Sequence, residues 1–76
     1  MSSNIKVEAR LDLHGYTLAA AHRAVLRFVE QAHHRQFRCI EIITGRGDPA
    51  RGTGALRREV PLWLEVPPLR NFVLSL

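Results

Sequence analysis

The stretch Ile5-Lys6-Val7-Glu8-Ala9-Arg10-Leu11-Asp12-Leu13-His14-Gly15 alternates without a fault: Ile5, Val7, Ala9, Leu11 and Leu13 are apolar, while Lys6, Glu8, Arg10, Asp12 and His14 are polar. Period-two alternation is the mark of a strand with one buried face, because successive side chains point to opposite sides. The pattern predicts that Asp12 and His14 emerge together on the wet face, roughly 7 Å apart at their Cα atoms. Gly15 lets the backbone turn sharply away at the carboxyl end of that strand. A carboxylate and an imidazole side by side in such a place are a candidate acid–base pair.

Beyond Gly15 the period changes. Thr17 stands where a helix N-cap belongs, and Leu18, Ala21, Val25, Phe28, Val29 and Ala32 recur at three- and four-residue steps. This predicts a helix of about five turns with Arg23, Arg27, Glu30, His34 and Arg35 on its outer side. The run Phe37–Thr44 is β-branched and aromatic and reads as a second strand, so strand, helix, strand implies a right-handed parallel unit. Glycines and a proline mark residues 44–54 as a loop. A second helix is expected to start near Thr53 or Gly54, with Leu56, Val60, Trp63 and Leu64 facing inward. Pro61 should kink or restart that helix, and Pro67-Pro68 should end it. Asn71–Leu76 reads as a third strand.

With 76 residues the chain makes one small domain, burying only about 60% of its extended surface. Cys39 is the single cysteine, which offers no intrachain disulfide and fits a reducing compartment. The sequence shows neither a signal-peptide core nor a membrane-length apolar run, so a cytoplasmic protein is expected. The net charge is +4, and every cation except Lys6 is an arginine. The guanidinium fork pairs bidentately with phosphate, so this bias favours a nucleic-acid partner, although GC-rich coding would produce the same bias.

Taken together, LDLHG at Leu11–Gly15, TGRG at Thr44–Gly47 and GTGALRREVPLWL at Gly52–Leu64 resemble the Smr (small MutS-related) domain. The likeness covers nearly the whole chain from about Ala9 onward, and Val60–Leu64 is similar to stand-alone bacterial members. It implies an α/β fold: a two-layer sandwich of order βαβαββ, akin to the C-terminal domain of translation initiation factor three, with both helices on one face of a mostly parallel sheet. It also implies a nuclease that nicks DNA or cleaves RNA, some members acting in ribosome rescue. By resemblance the Asp-x-His segment is assigned to catalysis, and the glycine loop to nucleic-acid binding, catalysis or both. Two departures stand out. Thr44 occupies a position where many bacterial members have histidine, and members continue past the third strand with a glycine-rich connection and a last strand. The expectation is a flexible segment over residues 1–4 and an Smr-like domain over 5–76, truncated after the third strand, with self-association supplying the missing pairing as the alternative.

The site expected from these residues lies at the carboxyl ends of neighbouring parallel strands, where open α/β sheets bind ligands. Gly45 and Gly47 let the backbone approach a phosphate, and the next helix start presents free N–H groups. The expected catalytic residues are Asp12, His14 and Arg46; the expected nucleic-acid contacts are Thr44, Gly45, Arg46, Gly47, Arg51 and Arg57. His14 would act as base or acid, with Asp12 orienting the ring or serving as its partner, and Arg46 would stabilise charge on phosphorus. Two-metal nucleases need a cluster of carboxylates, and this site offers one. The expected activity is therefore cleavage of RNA without metal or other cofactor, leaving a 2′,3′-cyclic phosphate. The alternatives are a non-catalytic nucleic-acid-binding module, a DNA-nicking domain, and an interaction domain docking on a complex such as the ribosome. His22 is read as structural and His33 and His34 as surface residues without a zinc-site spacing. Trp63 belongs to the core or stacks on a base, and Tyr16 packs the turn or does the same.

Overall fold

The computed structural model describes residues 6–45 and 54–73. Alternation becomes strand β1 (Ala9–Asp12), which pairs in parallel with β2 (Ile40–Ile43) in the register Ala9↔Ile40 to Asp12↔Ile43. Backbone bonds extend the ladder at both ends: the Glu8 N–H donates to the Cys39 carbonyl and the Leu13 N–H to the Ile43 carbonyl, each at 2.8 Å. The second strand is shorter than the sequence run suggests, because its first residues spend their backbone groups elsewhere. The Phe37 N–H donates to the Ala32 carbonyl, and the Arg38 N–H to the Glu8 carboxylate.

Helix α1 (Leu18–His34) starts where the sequence placed it. Thr17 is extended at φ −72° and ψ 163°, and its hydroxyl accepts the Ala20 N–H at 3.2 Å, satisfying one of the first-turn donors. Ala21, Val25, Val29 and Ala32 form the buried stripe, whereas Leu18 stays exposed. At the far end Gln36 takes φ 60° without being glycine. Its N–H donates to the His33 carbonyl while that of Phe37 reaches Ala32, the paired bonds of a Schellman cap.

Helix α2 (Ala55–Trp63) buries Leu56 and Val60 against the same cluster as α1. Its N-terminal cap position, Gly54, has no side chain to offer. Two expectations are corrected here. The helix runs through Pro61 with no restart, since an exposed proline in the last turn forfeits one donor while Val60 and Leu64 still anchor that turn. It also ends at Trp63, before the prolines, with the Leu64 N–H donating to the Val60 carbonyl. A third correction concerns the start of the expected third strand. Asn71 and Phe72 belong to a 3-10 helix (Leu69–Phe72), where local bonds satisfy the backbone and Leu69 drops into the core, 1% exposed. Val73 is extended; the rest of that stretch, like the segment over residues 1–4, lies outside the described residues.

The core is Leu13, Ala21, Val25, Val29, Leu56, Val60 and Leu69, with Leu11, Ile40 and Ile42 packed against it from the sheet. Both helices therefore cover one face, as an α/β sandwich requires. Burying each of Leu13, Val25 and Leu69 contributes about 1.5–3 kcal/mol. The opposite face carries Arg10, Asp12, Glu41 and Ile43 and is open to solvent. Among the described residues β2 pairs with β1 alone, and an apolar groove of about 830 Å³ runs between Ile40, Ile42 and the residues Val60, Leu64 and Phe72.

Candidate nucleic-acid site

Leu13 decides where its neighbours point. Its side chain is wholly buried under the helices, so Asp12 and His14 on either side are turned outward, and both are exposed. Gly15 then takes φ +80°, a conformation that costs an ordinary L-residue about 1–2 kcal/mol. The Tyr16 N–H closes the turn onto the Leu13 carbonyl at 3.0 Å, and Thr17 begins α1. Gly45 at the end of β2 also has φ +80°. Because Leu13 bonds to Ile43, the two positive-φ glycines lie at the same end of the sheet, each following one of two adjacent strands.

Within this arrangement the Asp12 carboxylate does not reach the His14 ring. Its Oδ1 accepts the backbone N–H of His14 at 2.9 Å instead. On the same open face Arg10 pairs with Glu41 at 2.6 Å, the one ion pair among the described residues. Thr44 sits on the other side of the sheet: it is half-buried, its hydroxyl donates to the Gly45 carbonyl at 3.4 Å, and it shares the apolar groove with Arg57. The structure thus brings Asp12, His14 and Gly45 to one end of the sheet, and groups Thr44 with Arg57 across it. Arg46, Gly47 and Arg51 lie outside the described residues. No group of three or more His, Cys, Asp or Glu side chains suited to a metal ion occurs among the described residues.

A family model of the Smr domain matches residues 11–74. The chain belongs to the Smr domain family. That span begins at LDLHG and includes both positive-φ glycines and both helices, so the Smr signature coincides with the end of the sheet just described. The chain is also 38% identical over 61 residues to an uncharacterized protein of Treponema pallidum (strain Nichols). The alignment takes in 80% of this chain and 30% of that relative's length. No solved structure matches. Smr membership supports a nuclease or nucleic-acid-binding role in general terms. No helix among the described residues is long and apolar enough to cross a membrane.

The remaining aromatic and histidine side chains have packing contacts. His22, though exposed, meets Trp63 edge-on with ring centroids 4.8 Å apart, tying α1 to α2. Trp63 is half-buried against the core. His33 lies 4.8 Å from the Phe72 ring, a contact that no sequence spacing signalled. Tyr16 is 41% exposed beside His14 and is free to meet a ligand.

Proposed function

We propose that this Smr domain is an endonuclease that cleaves RNA by internal transesterification, with His14 as the proton-transferring side chain. The observation carrying the reading is the placement of an exposed imidazole at the carboxyl end of β1, beside the positive-φ Gly45 at the end of the neighbouring strand. A ribose 2′-oxygen attacks the adjacent phosphorus, its proton passes to a base, and the 5′-oxygen leaves with a proton from an acid. The products are a 2′,3′-cyclic phosphate and a 5′-hydroxyl. His14 takes one of the two proton transfers. Arg46 and the amides of the loop after β2 stabilise the charge that develops on the phosphate oxygens. Gly45, Gly47 and Arg51 contribute phosphate contacts, while Thr44 and Arg57 stand apart on the other side of the sheet.

The test uses end-labelled single-stranded RNA, with ribosome-bound mRNA and duplex DNA as parallel substrates. Wild-type protein should cut RNA in the presence of chelator and leave cyclic-phosphate ends, and His14→Ala and Arg46→Ala should each lower the rate while binding persists. Cutting abolished by chelator, or DNA nicked more efficiently than RNA, refutes the mechanism. Salt-sensitive binding with no cleavage assigns the chain as a non-catalytic binding module.

A further inference from the structure

We propose that Asp12 is a positioning residue: its carboxylate fixes the backbone at His14 and takes no part in proton transfer. The inference rests on the reading of His14 given above.

The backbone from Leu13 to Thr17 has to leave a sheet, reverse and enter a helix within five residues. Leu13 is fixed by burial and by its bond to Ile43, and Thr17 by its cap on Ala20. The Leu13 N–H faces β2, so the next N–H, that of His14, points to the opposite edge and has no partner on β2. Asp12 Oδ1 supplies one at 2.9 Å. This is the two-residue side-chain-to-backbone bond that aspartate and asparagine make in turns. Together with the Tyr16–Leu13 turn bond, it restricts the backbone that carries the imidazole.

Its neighbours leave Asp12 to this task. The closest cation on its own strand face, Arg10, is held by Glu41, and the residue beside Asp12 on β2 is Ile43. Among the described residues no bond joins the carboxylate to the His14 ring, so Asp12 acts on the backbone of His14 and not on its imidazole. A turn of this kind needs an oxygen acceptor carried on Cγ and no negative charge. Asparagine provides that oxygen; alanine does not.

The experiment compares full-length wild type, Asp12→Asn, Asp12→Ala and His14→Ala. Single-turnover RNA cleavage is read alongside amide hydrogen exchange at residue 14. Asp12→Asn should cut within about threefold of wild type, since only the charge-assisted part of one hydrogen bond is lost. Asp12→Ala should cut at least about tenfold more slowly, because the imidazole is no longer held in place. Exchange at the His14 amide should rise severalfold in Asp12→Ala and stay unchanged in Asp12→Asn. If Asp12→Asn is as inactive as Asp12→Ala while its His14 amide stays protected, the charge belongs to the chemistry and the proposal is overturned. Unchanged exchange in Asp12→Ala overturns it equally. A wild type that cuts nothing, or a fully active His14→Ala, defeats the nuclease reading instead, and exchange alone then decides the role of Asp12. Should Asp12→Ala unfold, Asp12→Ser replaces it, because its hydroxyl caps the same N–H more weakly.

Discussion

The two faces of β1 differ in almost everything except sequence position. Leu11 and Leu13 point under the helices and join the core, while Arg10, Asp12 and His14 point into solvent. A step of one residue thus separates a side chain whose work is cohesion from one free to do chemistry. Strand geometry enforces the division, because side chains alternate and cannot trade faces without a shift of register. Here the register is fixed on the covered face by Leu13 and the Ile43 carbonyl. The open face can therefore carry an exposed acid and imidazole while contributing little to stability.

The strongest way to break this contrast is to truncate the two neighbours in turn. Leu13→Ala should destabilise the domain by about 3 kcal/mol, the loss expected for a fully buried leucine whose cavity cannot collapse. For a small domain that is a large share of the total, and denaturant titration should show a much lower midpoint. His14→Ala should leave the midpoint where it was and lower RNA cleavage at least about 100-fold, the usual contribution of a positioned acid or base. Equal destabilisation by both would mean that the open face is structural too.

Thr17 stands between the two regimes, ending the turn that carries His14 and starting the helix that covers Leu13. Removing its hydroxyl leaves an unpaired donor in the first turn of α1, and Thr17→Ala should cost about 1 kcal/mol in chemical denaturation. A loss near that of Leu13→Ala would make the turn part of the core.

What the sequence revealed and what it hid divide along similar lines. The faces of β1, the Thr17 cap and the inward residues of α2 were legible because each depends on a local period or one side chain's chemistry. The position of Asp12 beside His14 was legible too, but not the bond it makes. Alternation says where a carboxylate emerges and nothing about which donor it finds. Gln36 in a left-handed conformation was hidden because glycine is the usual signal for that cap, and here the tertiary course of the chain imposes it. The stretch after Pro68 looked like a strand because Phe72 and Val73 are good strand formers. Burial of Leu69 and local turn bonds overrode that preference at its start.

The smallest effect is the one that sharpens the contrast most. Arg10 and Glu41 form a 2.6 Å ion pair across the two strands, on the open face, with 63% and 47% of their side chains exposed. Such a bond looks structural in a drawing, since it joins β1 to β2 two residues before Asp12. Exposure argues otherwise: water screens both charges, and ordering two long side chains offsets much of the attraction. A double-mutant cycle through Arg10→Ala and Glu41→Ala should return a coupling below about 1 kcal/mol that shrinks further as salt is raised. A coupling several times larger would show the open face locking the strand register that is credited above to Leu13. The division of labour between the faces of β1 would then no longer hold.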